Sequence, residues 1–567
     1  MPPLTTNPSG NAASRAPGRS LANWFALALC LAFFLQGLVL IPYLGVQNDE
    51  ALFGMAIYQP LTAEYSAQVL GHSVPTMIMS YIGALKAWIY FPMFQIWPPS
   101  PYSLRIPVLL FGTLTVWLFF LLVRDTVGAR AALAGCALLA FDPIFLLTNT
   151  FDWGPVALQH LLLVAGVWLV ARFYQRGGMI DLGAGFFLLG LGLWDKALFV
   201  WMLSGLGVAT LVVFRRELAS RLTRRNASMA VVFFLAGVWP LVAYNRERPM
   251  QTLRANANFS TSQLDSKLIQ MKVTLEGGSL LGYLVRDEPA PRPGRPASLL
   301  ERWSVALSEA ADERRAGYMV IACVLALALL PWLWTTPARR PMLFSLVLML
   351  VAWAQMLFTK DAGGSAHHTV LLWPFPHLLV VAAFAQATGV LRRAGPVALA
   401  ALVAVVCGSN LLVTNQYLAQ AVVRGPGAVW TDAINPLAEY LKSVPAQRVY
   451  VMDWGIFDAI RLLDQGQVAL RVGSDQVSKE KMDDSDRQLV REMLAAPETV
   501  FVGHTEGNEV FSGSSARLVA AAEAAGYRKQ VLRVVGDGRG RPMFEVYRWT
   551  LQGRSQPISA PAQPSGQ

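Results

Sequence analysis

Residues 21–50 read LANWFALALCLAFFLQGLVLIPYLGVQNDE: no charge for twenty-eight positions, then Asp49 and Glu50 side by side. A run of about 20 apolar residues crosses the hydrocarbon core of a bilayer, because lipid offers no hydrogen bonds to an open backbone. Comparable runs recur at 108–123 and 398–413. The 567 residues are 54% hydrophobic and 15% charged, against about 25% charged in soluble domains. Mean hydropathy is +0.41. No small-residue cleavage site follows the first run, so it reads as an uncleaved signal anchor.

The net charge of +11 reflects topology rather than nucleic acid, because Arg is concentrated in short loops between spans. Residues 1–20, with Arg15 and Arg19, read as a disordered cytoplasmic tail. Span 21–44 then exits outward into a first outer loop, 45–103, whose segment 77–97 suits a helix lying in the interface. Spans at 104–123, 131–148, 156–170, 180–193, 197–214 and 229–244 alternate in direction, with Arg pairs or clusters at each inner turn. A long outer loop, 245–315, precedes spans at 318–334, 342–358, 369–388 and 397–414. The expected fold is therefore an α-helical polytopic bundle of about 11 spans, N-terminus inside and C-terminus outside.

From 425 to 551 charge returns and short strands alternate with helical patterns. Strands are expected near 448–452, 499–502, 531–535 and 543–548, and helices near 456–463, 487–494 and 516–525. This reads as an extracytoplasmic α/β domain with a partly parallel sheet, followed by a disordered tail, 552–567. Cys30, Cys136, Cys323 and Cys407 all lie in apolar runs, which argues against both a disulfide framework and a zinc site.

Candidate chemistry gathers on the outer face. Asp49 and Glu50 stand at the membrane edge, where partial burial raises a carboxyl toward the range of a general base. Asp152, in Thr150-Phe151-Asp152-Trp153-Gly154-Pro155, faces the same side. Asp142, followed by Pro143, reads as a helix-end acid beside a proline break. His72, Lys86, Arg105, Lys196, Lys360, His367 and His368 form a set of outer cations suited to a phosphate. Arg105 and Lys196 each open an apolar span, where a cation needs an anionic partner. Lys86 reads as an interfacial anchor, and His160 as a core histidine. Asp453-Trp454-Gly455 echoes Asp152-Trp153-Gly154 but sits where α/β loops often place an acid. Walker A, GxGxxG, HExxH and Gly-x-Ser-x-Gly signatures are absent, and the sequons at Asn226 and Asn258 are short enough to occur by chance.

In layout the chain resembles the GT-C glycosyltransferases that use polyprenyl-phosphate sugars. The nearest branch is the dolichyl-phosphate-mannose–protein mannosyltransferase type, with bacterial relatives that include the aminoarabinose transferases acting on lipid A. The resemblance rests on Asp49-Glu50, the helix of the first outer loop, Tyr102-Ser103-Leu104-Arg105-Ile106-Pro107, Asp152 with Pro155, and Asp195-Lys196. The segment His367-His368-Thr369-Val370-Leu371-Leu372-Trp373-Pro374-Phe375-Pro376 resembles the late Arg-Tyr…Leu-Pro…Pro segment of that family. Two departures stand out: Gly71-His72-Ser73-Val74-Pro75 replaces an acidic-Lys-Pro cluster, and histidines replace the late Arg-Tyr.

The resemblance implies sugar transfer from a polyprenyl phosphate to an acceptor hydroxyl (protein, lipid or glycan) outside the cytoplasm, in a bacterial inner membrane. Asp49 would be the base, Glu50 or Asp152 would orient the acceptor, and Arg105 and Lys196, with His72, His367 or His368, would meet the donor phosphate. No nucleotide is required. Asp and His converge on this face and leave room for a divalent metal, though no spacing demands one. The rival reading is a transporter or lipid flippase, which usually shows internal repeats and midplane charges. No repeat is visible here, and most charges lie at the rim.

Overall fold

A computed structural model describes residues 17–58 and 63–551; the expected tails lie outside it except for residues 17–20, which already belong to the first helix. The opening elements are helices α1 (Pro17–Leu40) and α2 (Asn48–Tyr58), strands β1 (Tyr65–Val69), β2 (His72–Met79) and β3 (Ile82–Gly83), and helix α3 (Leu85–Ile96). The bundle continues through α4 (Pro101–Thr126), α5 (Ala129–Ala140), α6 (Pro143–Thr148), α7 (Val156–Arg176), α8 (Met179–Asp195) and α9 (Val200–Val213). Among the described residues six helices are long and apolar enough to cross a membrane, or eight if two bent pairs each count as one span. Helices Ala129–Ala140 and Met319–Leu333 are shorter apolar segments. Asp142 marks the break between α5 and α6: its side chain accepts from Phe145 N at 2.8 Å, with Pro143 in the first helical position, where a missing N–H costs nothing.

Inside a bilayer apolar side chains gain little by leaving lipid, so close backbone packing has to hold helices together. The crossing of α8 with the helix Arg224–Glu247 shows this. A Cβ on Gly190 would lie 2.3 Å from Phe234 O, and one on Gly237 2.3 Å from Phe187 O. Two glycines thus bring the helices into backbone contact.

The first loop departs from expectation. Residues 77–79 belong to a strand, and the helix begins only at Leu85. Leu70 (φ 50°) and Gly71 (φ 82°) form a two-residue turn joining β1 to β2 in antiparallel register, Val69 opposite His72. Two positive φ values match the twist of a tight hairpin. β3 then lies against the end of α8, where a Cβ on Gly83 would meet Trp194 O at 2.2 Å.

The C-terminal region holds strands β4 (Arg448–Val451), β5 (Leu470–Val472), β6 (Thr499–His504), β7 (Tyr527–Gly536) and β8 (Pro542–Leu551) in a five-stranded sheet of order β5-β4-β6-β8-β7. β4 pairs parallel with β5 and β6, while β8 runs antiparallel to β6 and β7. Helices Asp484–Ala495 and Ser514–Ala524 cover one face through Val490, Leu494 and Leu518. The other face, with helices Ile434–Ser443 and Phe457–Leu463, shares a single apolar core with the first loop, where Val451, Ile460 and Val546 join Phe53, Ile82, Tyr90 and Phe94. The sheet is therefore built onto the polar end of the bundle and is not tethered at a distance.

Candidate active site

α2 begins with its own cap. The side-chain oxygen of Gln47 accepts from Asp49 N at 2.7 Å and Glu50 N at 3.1 Å, satisfying two of the helix's free donors. The two carboxylates also sit where the helix dipole favours them. Successive helical residues project about 100° apart, so Asp49 and Glu50 meet different surroundings.

Glu50 turns inward to Arg105, near the start of α4. Nε and Nη2 of Arg105 donate to the two carboxylate oxygens, each at 2.8 Å. Nη1 donates to Ile41 O and Leu44 O (both 2.8 Å), and Nη2 also to Gly45 O at 2.7 Å. A guanidinium has five N–H donors, and all are taken. Side-chain exposure is 0% for Arg105 and 2% for Glu50, and the Phe151 ring covers the guanidinium at 4.7 Å. This corrects the expectation for Arg105: it closes the turn after α1 and leaves no donor for a phosphate. Glu50 is likewise engaged with Arg105 and turned from any acceptor.

A second buried pair stands beside the first. Lys86 Nζ donates to Asp152 Oδ2 at 2.8 Å and lies 4.7 Å from the centre of the Phe53 ring. The other oxygen of Asp152 accepts from Val156 N at 2.9 Å, capping α7. Lys86 is therefore no interfacial anchor. Its surroundings in α3 are apolar and aromatic, and a lone lysine there calls for a buried anion, a signal present in the sequence.

Lys196 differs from both cations. The hairpin holds it: Trp194 Nε1 donates to Thr76 O at 2.9 Å, Ala197 N to Tyr81 O at 2.8 Å, and Ile82 forms an isolated bridge with Lys196. The residue is 3% exposed, yet among the described residues its ammonium makes no hydrogen bond and no ion pair within 4.0 Å. Asp152, Asp195 and Asp49 all act on it electrostatically. A Cβ at Gly154 would approach Nζ to 3.3 Å, so glycine leaves the ammonium its space. Asp195 is fully buried and neither carboxylate oxygen has a hydrogen-bond partner among the described residues.

His367 and His368 complete this side, their rings 4.1 Å apart. Trp153 Nε1 lies 3.0 Å from His367 Nδ1. An indole N–H only donates, so Nδ1 is the acceptor and the neutral ring carries its proton on Nε2. His367 therefore offers a hydrogen-bond donor rather than a full charge. His72 does not join them, being exposed at the hairpin turn, and Lys360 is exposed as well.

Asp49 is half-buried. Burial pushes its carboxyl up to about 6, opposed by Asn48, Lys196 and Gln47. Its charge is felt by Tyr81 and by Tyr283 of the long loop. Tyr283 stands with Trp153 and Trp430 in a run of tilted and edge-on rings. Nothing in the sequence around Tyr283 or Trp430 marks them for this place. Asp453, by contrast, is saturated: it accepts from Trp454 N, Val510 N, Phe511 N and His504 Nδ1 at 2.8–3.0 Å and pins β4 to the loop after β6. Among the described residues no group of three or more His, Cys, Asp and Glu is placed to hold a metal.

The model of the dolichyl-phosphate-mannose-protein mannosyltransferase family matches residues 84–244, the stretch from α3 through the helix Arg224–Glu247. One curated relative, "Putative mannosyltransferase YkcB" of Bacillus subtilis (strain 168), is 28% identical over 148 residues, 25% of this chain. The chain aligns with only 20% of that relative's length. Among solved structures, ArnT from Cupriavidus metallidurans bound to undecaprenyl phosphate superposes with a TM-score of 0.54 at 14% identity, covering 94% of this chain and 98% of that one. The apo oligosaccharyltransferase of Archaeoglobus fulgidus gives 0.50 at 12% identity, covering 85% and 70%. Matched over nearly the full length of both chains, this multi-pass membrane protein has the GT-C fold.

Proposed function

We propose that the protein is a membrane glycosyltransferase that moves a sugar from a polyprenyl phosphate to an acceptor hydroxyl, with the polar end of the bundle and the terminal sheet outside the cytoplasm. The observation that carries this reading is a contrast among buried charges. Glu50–Arg105 and Lys86–Asp152 are closed pairs, whereas Asp49 and Lys196 stand open on one site. The solved ArnT structure of the same fold holds undecaprenyl phosphate, which supports a lipid phosphate as the donor.

The acceptor oxygen attacks the anomeric carbon as its proton passes to the Asp49 carboxylate. The bond from that carbon to the phosphate oxygen breaks, and a single displacement inverts the anomeric centre. The departing polyprenyl phosphate gains charge, which Lys196 neutralises with hydrogen bonds from His367 and His368; an ammonium already in place needs no reorganisation. Asp152 and Glu50 act indirectly, fixing α7 and α2 through their cation partners. Transfer from undecaprenyl-phosphate sugars by the purified protein, abolished by Asp49→Asn and lowered about 10²–10³ by Lys196→Met, is the expected result. Solute movement in proteoliposomes without transfer of any sugar would instead make the protein a carrier.

A further inference from the structure

The terminal sheet reaches the site through one short helix. Phe457–Leu463 packs on α2 closely enough that a Cβ on Gly54 would lie 2.7 Å from Leu462 Cδ1. At the start of that helix Asn48 Nδ2 donates to Asp458 Oδ2 at 3.0 Å, and Asp458 N donates to Asn48 Oδ1 at 3.0 Å. The side-chain amide of Asn48 is thereby held on both sides by one residue 410 positions away. A two-bond ring of this kind fixes the rotation of the amide as well as its distance. Asn48 is the first residue of α2, and Asp49 is the second.

We infer that Asp458 is a positioning residue for Asp49, holding the first turn of α2 through Asn48 and placing a second carboxyl beside the base, so that the terminal sheet completes the acceptor side of the site. The inference rests on the reading of Asp49 as the base. The groups acting on the pair are few. Asp49 faces Lys196 at the end of α8, Tyr81 beside the hairpin and Tyr283 of the long loop. Asp458 faces Asp49 and, one turn along its own helix, Arg461. Burial first, and the Asp49 charge second, push the Asp458 carboxyl up to about 7. Asp458 thus takes up its proton before Asp49 as pH falls, and the carboxyl beside the base is neutral where Asp49 titrates.

Asp458→Asn keeps an oxygen for Asn48 Nδ2 and the backbone donor, and removes only the charge. The ring survives in this variant, which is expected to retain most of the kcat that Asp458→Ala loses, with the acid limb of kcat/KM still near 6. Asp458→Ala opens the ring, and kcat is expected to fall about tenfold or more with the donor KM little changed. Asn48→Ala should do the same, and the double variant should be no worse than either single one, because both remove one link. A loss of kcat in Asp458→Asn as large as in Asp458→Ala, or simple multiplication of the two alanine effects, overturns the inference. Asp49→Asn separates the two failures. If it is inactive while Asp458→Ala matches the wild type, Asp458 alone is misassigned; if it transfers sugar normally, the base reading falls and this inference with it.

Discussion

Arg105 gives the sharpest test, because its two candidate roles differ in what they leave behind. Substituting Arg105→Met removes all five donors and strands Glu50 in a site where its side chain is 2% exposed. Removing one member of a buried pair costs about 3–5 kcal/mol, most of it from the uncompensated charge that remains. The three carbonyls freed at Ile41, Leu44 and Gly45 add about 1 kcal/mol each where water does not replace the donor. The double variant Glu50→Gln/Arg105→Met removes the stranded charge and should recover about 2–4 kcal/mol of the loss. The assay is a double-mutant cycle read as thermal unfolding of detergent-solubilised protein at fixed scan rate, with transfer measured on the folded fraction. A phosphate-gripping arginine behaves otherwise: Arg105→Met would retain wild-type stability, the donor KM would rise, and Glu50→Gln would not rescue it. That pattern would falsify the assignment of Arg105 as an internal clamp.

Lys196→Met should lower kcat by about 10²–10³, the usual effect of losing one preorganised donor at a developing anion, with no loss of thermal stability, since Lys196 closes no ion pair. Gly154→Ala places a methyl 3.3 Å from the Lys196 ammonium and should reduce kcat about tenfold while leaving the fold intact, measured as transfer per folded molecule. Transfer should fall as pH drops through about 6, the value to which burial raises Asp49. Stability carries the opposite sign: with a folded value above the unfolded one, the native state binds more protons between about 4 and 6, so stability declines as pH rises through that window. Asp49→Asn should therefore unfold at a higher temperature than the wild type at pH 7.5, with the gap closing near pH 4.

The sequence revealed the parts governed by local rules. Long apolar runs, Arg at alternate turns and the proline after Asp142 give helices at each expected segment, and the alternation after residue 425 gives β4, β6, β7, β8 and their helices. What stayed hidden depends on distant partners. A cation opening α4 announces that it needs an anion, but nothing local distinguishes a substrate phosphate from Glu50, 55 residues earlier. Lys86 poses the same problem with Asp152. The hairpin escaped because Leu70, a poor residue for positive φ, takes half of its turn. β5 is three residues long, too short to carry a period. Asp458, in the first turn of a helix, reads locally as dipole compensation, and its link to Asn48 exists only in the fold.

The shared core beneath the terminal sheet also sets an order of events during synthesis. Phe53, Ile82 and Phe94 near the N-terminus wait for Ile460 and Val546 before they are covered, and the amide of Asn48 waits for Asp458. The membrane helices can enter the bilayer one after another as the chain emerges, but the first turn of α2 gains its last supports only when the final strands have been made. A nascent or truncated chain thus carries Asp49 on a first turn that Gln47 and Arg105 hold but Asp458 does not, and the finished protein is the first form in which that turn has all its supports.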